Sequence, residues 1–527
     1  MAVNQPIDAR RALPAEENGG TTRKGLAFVL LVALAYCAVH TAARLLVSDV
    51  LGEDDVIDTV LSQDLRAGYE AFPRQPPLYN WLLWAVQQIT GPHVVGHLLI
   101  KYAALTATAG FLFLAARRIL RDPLFALLSV ESLALIYSIA WRYHEGFTHE
   151  VLALTAVMAT LWLIVRIGQD QRPWDWPALG LTMGLGLLTE PAYAAFLVAV
   201  LLAALVQPSV RGRLLRWPLL ACLALAVIVA APYLAWLIAE PARVRQLTYA
   251  LTPVLGGRDG ILDAVRGPVA YLMPLLLILP IVFPRWLATA WDDLRRGRNT
   301  TAEPDFEQLV LYACGFAFAL SLIAASAFNV RGLAVHVLMP LYVGSVIWLF
   351  GVARRSMDHR SAAGRVQIIR FARIAMVIAV VAFAARAANM IVLDPVCKTC
   401  RWGEPYSGLA AELRARGFDA TGTIVALEHE TGGNLRAAFP QATVVARHYP
   451  HHTPAGTDLT KGDLAIVWEP GLTPAHVRRS LRAPELSDLD LERAETVVVP
   501  WHHAWRPTGW RTSTWKLIVV DRTAPGR

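Results

Sequence analysis

The sequence predicts a polytopic α-helical membrane protein followed by a small extramembrane α/β domain. Three observations carry that prediction. The 527 residues are 55% hydrophobic and only 17% charged, against roughly 25% charged in soluble domains. Mean hydropathy is +0.42. Apolar runs long enough to cross a bilayer recur as far as Leu393, and hydropathy becomes ordinary after it. This composition excludes a soluble enzyme, a disordered chain and a disulfide scaffold.

The segment Met1–Lys24 is polar and lacks the layout of a cleaved signal peptide. The first apolar run, Gly25–Val47, is therefore expected to be retained as a span. Further runs lie at Val94–Ala116, Pro123–Ala140, Glu150–Ile167, Pro177–Leu188, Ala192–Val206, Trp217–Ile238, Val269–Phe283, Glu307–Phe328, Leu333–Val352 and Phe371–Leu393. By span length that makes about eleven transmembrane helices over residues 25–393. Arginines then orient them. Clusters such as Arg117–Arg118–Arg121, Arg211–Arg213–Arg216 and Arg354–Arg355 occupy alternate connections, together with Arg10, Arg11, Arg23 and Lys24. The positive-inside rule makes that side cytoplasmic, the N-terminus included. An odd number of spans puts residues 394–527 on the opposite face, the periplasm in a bacterial inner membrane. The net charge of +8 thus reports orientation in a lipid bilayer, and no nucleic-acid partner is expected.

Three regions outside the bilayer hold the polar chemistry. The first external loop, Ser48–Pro92, is too long for a plain connection. It opens with Asp49, Glu53, Asp54, Asp55 and Asp58 and continues into Gln75–Pro76–Pro77–Leu78–Tyr79–Asn80–Trp81. The proline pair suits a helix start, and Trp81 and Trp84 suit the membrane boundary. The second region is a set of residues at external span ends: Arg142, His144, Glu145, His149 and Glu150 in one connection, Glu190 in a turn after a glycine-spaced helix, and Arg331 and His336 before the tenth run. The third is 394–527, where strand-like runs at Thr423–Leu427, Ala442–Ala446, Leu464–Trp468, Thr496–Val499 and Trp515–Val520 alternate with helical patterns at Tyr406–Arg416 and Pro474–Leu481. Gly432–Asn434 reads as a turn or helix start. Cys397 and Cys400 form a C-x-x-C just outside the last run. A redox or zinc role is open to such a pair, though zinc would need two further ligands; the external compartment makes a structural disulfide at the domain entrance the first expectation. Cys37, Cys222 and Cys314 read as apolar fillers.

Four motifs now stand in order: the acidic pair Asp54–Asp55 after the first span, Q-P-P-L-Y-N-W at Gln75–Trp81, a glycine-rich helix ending L-T-E-P at Leu188–Pro191, and H-V-L-M-P at His336–Pro340. Together they resemble the GT-C superfamily of membrane glycosyltransferases. The nearest branch is the protein O-mannosyltransferase and lipid A aminoarabinose transferase-like group, which includes rhizobial lipopolysaccharide galacturonosyltransferases. The resemblance covers roughly Gly25–Val352 in layout. It implies an inverting transfer of a sugar from a polyprenyl-phosphate donor to an envelope lipid, glycan or protein on the outer face. It also implies that Asp54 or Asp55 acts as the base or as a metal-linked acid. The sequence departs from the pattern at the positions that would hold the donor phosphate. Gln75 precedes the prolines where a basic residue is usual, with Arg74 displaced by one; Glu190 replaces a lysine; His336 replaces an arginine.

Direct displacement at a glycosyl phosphate needs a carboxylate to take the acceptor proton, positive charge for the leaving phosphate, and an apolar groove for the lipid. The expected catalytic pair is Asp54 and Asp55. The expected substrate contacts are Arg74, Gln75, Tyr79, Arg142, His144, Glu145, Glu190, Arg331 and His336. A divalent metal ion, if used, is assigned to Asp55 and His149. Each assignment has a plainer rival: a helix N-terminus that favours acids, a solvated loop for His144–His149, a snorkelling arginine at 331. A transporter of a lipid-linked sugar and a membrane scaffold for the C-terminal domain are the competing functions. Transporters usually carry internal repeats and midplane charges, and no repeat is visible in the sequence.

Overall fold

In hydrocarbon every backbone polar group must be satisfied within its own segment, so apolar runs of this length fold as helices. The computed structural model describes residues 15–69, 75–244, 260–296, 304–327, 335–397, 400–447, 451–481, 483–487, 489–503 and 505–520. The external helices are α2 (Asp54–Leu61) and α3 (Leu78–Thr90). The bundle contains α1 (Ala15–Val47), α4 (Val94–Leu120), α5 (Pro123–Glu131), α6 (Tyr137–Ala140), α7 (His149–Asp170), α8 (Asp175–Leu187), α9 (Pro191–Val206), α10 (Pro208–Leu214) and α11 (Trp217–Ile238). It continues with α12 (Gly260–Leu272), α13 (Leu275–Val282), α14 (Trp286–Arg296), α15 (Phe306–Ala327), α16 (Val335–Tyr342), α17 (Ser345–Arg355) and α18 (Ala362–Ala388).

Among the described residues six helices are long and apolar enough to cross a membrane, and up to eight spans result if α9–α10 and α13–α14, bent by 117° and 108°, each count as one. Within the described residues the eleven expected runs are largely helical, but several are interrupted. Pro123–Ala140 passes through a tight turn of 3-10 helix at Ser132–Leu135. Val269–Phe283 breaks at Pro274, between α12 and α13. Leu333–Val352 divides between α16, which contains Pro340, and α17. Hydropathy counts apolar residues and does not see where a proline withholds its N–H.

α4 and α7 form the centre of the bundle; Leu112, Phe113, Val151 and Leu154 have no exposed surface. α1, α11 and α18 leave Leu31, Ile228 and Val380 exposed, as lipid-facing helices should. α8 crosses α11 closely because Gly180 and Gly184 face it. A Cβ at either would sit 2.8 Å from the Cys222 carbonyl or 2.9 Å from the Ala226 carbonyl, the small-residue contact typical of membrane helices.

Beyond the bundle lies a five-stranded sheet of order β2-β1-β3-β5-β4. Its strands are β1 (Thr423–Ala426), β2 (Thr443–Ala446), β3 (Leu464–Trp468), β4 (Glu495–Pro500) and β5 (Thr512–Val520). β1 runs parallel to β2 and β3, and β5 runs antiparallel to β3 and β4. One face carries α19 (Tyr406–Ala415) and α20 (His429–Ala438), through Leu409, Leu435, Ile424 and Val444. The other carries α21 (Pro474–Leu481), through Val477, Leu481, Val425 and Ile466. Burial on both faces explains why β1 and β3 read as unbroken apolar runs. Gly432–Asn434 is not a turn: it lies inside α20. The first external loop joins this domain, because Val50 and Val60 are part of the apolar cluster between the sheet and α19–α20.

Candidate active site

Helix α2 starts at the acidic pair, with Asp54 and Asp55 in its first turn, where the helix dipole favours carboxylates. Its apolar positions face the α/β domain, and Asp55, Asp58 and Thr59 recur at helical spacing toward α3, α4 and α7. Asp55 is almost fully buried. Its Oδ1 accepts from Lys101 Nζ at 2.5 Å and lies 3.2 Å from His97 Nδ1. Burial alone would raise its pKa; Lys101 and His97 outweigh that and hold the carboxyl below the usual range. His97 is fixed in turn by the Thr59 hydroxyl, 2.8 Å from Nε2, and the Tyr79 hydroxyl, 2.9 Å from Nδ1. Asp58 Oδ1 accepts from Asn80 Nδ2 at 2.8 Å and lies 3.4 Å from His149 Nε2.

Asp54 differs from both. It is half-buried, and burial, Glu150, Asp58, Glu53 and Asp55 push its pKa well above the usual carboxylate range. Adjacent carboxylates therefore differ in kind: Asp55 is locked as an anion, and Asp54 holds its proton more tightly. Such splitting commonly marks acid–base chemistry.

A second group surrounds Glu53, whose backbone has φ 52°. Its Oε1 lies 3.3 Å from Arg142 Nη1 and 3.6 Å from Arg401 Nη1. Arg142 also reaches Glu145 at 3.6 Å. Glu145 is pushed upward by burial and by Glu53, with Arg142 opposing. Gly146 lets this connection lie on Glu53, since a Cβ there would meet the Glu53 side chain at 2.3 Å. Arg401 and Arg44 both stack on Trp402, at 5.1 Å and 4.9 Å.

His144 sits apart from this group and is buried in the wall. Tyr36 and Tyr102 hydroxyls lie 2.8 Å and 3.0 Å from its two ring nitrogens. His40 stacks on it at 3.8 Å, and Arg386 of α18 donates to its carbonyl at 2.7 Å. Burial, His40 and Arg386 drive its pKa well below the ordinary histidine value. Those contacts make it a packing residue.

The expected residues fall out as follows. Asp54, Asp55, Tyr79, Arg142, Glu145 and His149 are gathered around α2. Gln75 is half-buried just before α3. Glu190 precedes α9 in a turn tied to α3, where Leu78 N donates to Leu188 O at 3.0 Å. Arg74 and Arg331 lie outside the described residues, and His336 lies in α16. Asp55 and His149 face different partners: Asp55 faces Lys101 and His97, and the carboxylate facing His149 is Asp58. Among the described residues no group of three or more His, Cys, Asp and Glu side chains is arranged to hold a metal ion. Cys397 and Cys400 are disulfide-bonded. Arg511 donates to the carbonyls of Asp394, at 2.8 Å, and Cys397, at 3.0 Å, tying β5 to the domain entrance.

Sequence reasoning missed Asp58, Asn80, His97, Lys101, Arg386 and Arg401. Two were signalled. His97 and Lys101 are spaced i, i+4 in an apolar span, and an ionisable residue there marks function or a buried partner. Arg386 in the last span is flagged in the same way.

A bundle of spans capped by an acidic external helix and a small α/β domain defines an integral membrane protein whose fold is ArnT-like. Residues 74–236 match the dolichyl-phosphate-mannose-protein mannosyltransferase family. Among curated relatives, the lipopolysaccharide core galacturonosyltransferase RgtA of Rhizobium johnstonii is 25% identical over 445 residues, covering 83% of this chain and 86% of its own length. RgtB of the same organism is 26% identical over 460 residues, covering 85% and 88%. The crystal structure of ArnT from Cupriavidus metallidurans bound to undecaprenyl phosphate superposes with TM-score 0.58 at 14% identity, covering 95% of this chain and 99% of that one. Its apo state gives 0.58 at 13% identity, covering 92% and 97%. The resemblance read from the four motifs is borne out.

Proposed function

We propose that this protein transfers a sugar from a polyprenyl-phosphate donor to a lipid A or lipopolysaccharide acceptor at the periplasmic face of the inner membrane. The contrast within the acidic pair carries the reading: one half-buried carboxylate with a raised pKa stands beside one neutralised by Lys101. Asp54 is the base. It takes the proton of the acceptor hydroxyl as that oxygen forms a bond to the anomeric carbon. The bond from that carbon to the phosphate oxygen breaks, the phosphate keeps the electron pair, and configuration inverts. A carboxylate whose pKa is raised is a stronger base than an ordinary one, and Asp54 is shifted in that direction. Arg142 and Arg401 supply positive charge for the leaving phosphate.

The names of the curated relatives support lipopolysaccharide core as acceptor and galacturonic acid as the first donor sugar to try. The undecaprenyl phosphate bound to ArnT supports the lipid carrier. The test is purified protein in nanodiscs with polyprenyl-phosphate galacturonate and lipopolysaccharide core, read by mass spectrometry. Transfer of one sugar that disappears in Asp54→Asn is expected. Full activity in Asp54→Asn would overturn Asp54 as base. Cells with and without the gene should differ by one sugar increment in an envelope glycolipid; identical envelopes would favour transport or scaffolding.

A further inference from the structure

The α/β domain grips the first external loop directly upstream of Asp54. Asn434, on α20, is almost wholly buried. Its Oδ1 accepts from the Leu51 N–H at 2.8 Å, and its Nδ2 donates to the Leu51 carbonyl at 3.1 Å and to the Glu430 carbonyl at 2.8 Å. The amide cannot be turned over, because its NH2 would then face the Leu51 N–H. Asp54 follows three residues later, after Glu53 in the left-handed region.

Two further contacts hold the same helix. Gly433, next to Asn434, lets α20 touch the α2 backbone: a Cβ there would lie 2.6 Å from the Val56 carbonyl oxygen and 2.7 Å from its Cα. At the far end of α2, Gln63 pairs with the outer edge of β2. It donates to the Val444 carbonyl and accepts from the Val444 N–H, both at 2.8 Å. A side-chain amide thus completes an edge strand that would otherwise present open backbone groups. α2 is fixed to the α/β domain at both ends, and the acidic pair stands in its first turn.

We infer that Asn434 is a positioning residue for the transfer, and that the α/β domain sets where the Asp54 carboxylate stands. This rests on Asp54 being the base. Catalysis is sensitive to displacements of about 1 Å, which can cost on the order of a hundredfold in rate. Freeing Leu51 releases the turn that aims Asp54 while leaving the bundle intact.

The test uses the full chain in nanodiscs with polyprenyl-phosphate galacturonate and lipopolysaccharide core. Asn434→Leu, similar in size but unable to bond, should lower kcat at least tenfold per folded molecule with KM within twofold. Asn434→Asp keeps the acceptor for Leu51 N–H and should recover part of that loss. Gly433→Ala keeps both hydrogen-bonding partners, pushes on Val56 and should also lower kcat. Amide exchange over residues 48–62 is read in parallel and does not depend on activity; it should rise in Asn434→Leu. Unchanged exchange overturns the grip. Raised exchange with wild-type kcat overturns the positioning role. Lack of transfer by the wild-type protein would overturn the proposed reaction and the catalytic part of this inference, and exchange would still decide whether Asn434 holds the loop.

Discussion

Lys101 donates to Asp55 across 2.5 Å with 3% and 6% of the two side chains exposed. Their neighbour Asp54 lies half open, and the charged groups that perturb it, Glu150, Asp58, Glu53 and Asp55, are all acidic. On the proposed reaction the acidic pair divides into an anchor and a reactive group. Asp55→Asn removes one partner of a buried ion pair, which costs about 3–5 kcal/mol, and should lower the melting temperature sharply. Replacing both partners, Asp55→Leu with Lys101→Met, should recover most of that loss. Asp54→Asn should instead melt no lower than wild type and lose roughly 10²–10⁴-fold in kcat, as expected for a missing general base. If the double replacement melts as low as Asp55→Asn alone, the pair is not the anchor described.

The same split fixes the signs of the pH dependence. Asp54 is pushed up in the folded protein. Its ionisation therefore costs stability as pH rises from about 3.9, the unfolded value, to the folded value, and the effect is flat above that. Activity runs the other way, because the base must be deprotonated. The acidic limb of kcat/KM should lie above the ordinary aspartate range. Asp55 is pushed down by Lys101 and His97 despite burial. Its stabilising contribution is complete above about 3.9 and is lost as pH falls toward its folded value. Melting curves against pH should show an acid-side decline that flattens in Asp55→Asn. An acidic limb at an ordinary aspartate pKa would remove Asp54 from the base role.

Arg142 and Arg401 meet on one carboxylate oxygen of Glu53, at 3.3 Å and 3.6 Å, and both keep part of their surface open. Arg142 is shared between Glu53 and Glu145, and both arginines keep open surface for a phosphate. Hydrogen bonds to charged groups are worth about 1.5–3 kcal/mol, so Arg142→Ala should raise KM for the polyprenyl-phosphate sugar ten- to a hundredfold. Glu53→Gln should lower that KM by freeing the cations. Steady-state kinetics over donor concentration reads both, and an unchanged KM in Arg142→Ala removes it from the donor site.

Much of the fold could be read from the chain because its cause is local. Apolar runs become helices in a bilayer whatever their neighbours, and β3, Leu464–Trp468, and α21, Pro474–Leu481, fall where their periodicity put them. What was not legible is pairing at a distance. Asn434 and Leu51 lie 383 residues apart, and glycines that read as a turn or helix start serve as a contact surface inside a helix. The acidic pair was visible as a pair, but its division was not. That division depends on Lys101, which stands 46 residues away and looked like one polar residue in an apolar span.

His144 offers the sharpest separation between a site residue and a wall residue. Its ring nitrogens are both satisfied, by Tyr36 and Tyr102, and burial, His40 and Arg386 keep it neutral far below ordinary histidine pH values. A neutral ring with both nitrogens engaged has neither a charge for the phosphate nor a free nitrogen for the acceptor proton. Arg386 binds the His144 carbonyl and lies 3.1 Å from His40 Nδ1, linking α1, α18 and the connection that carries Arg142. His144→Phe leaves the buried Tyr102 hydroxyl and the half-buried Tyr36 hydroxyl without that partner, at about 1–3 kcal/mol for the buried one. It should lower the melting temperature and the yield of folded protein while leaving KM and the pH limbs of the folded fraction in place. Arg386→Met should behave in the same way. A shifted pH limb in His144→Phe, at equal folded concentration, would instead put the ring in the proton path and require that Tyr36 or Tyr102 relay it to Asp54.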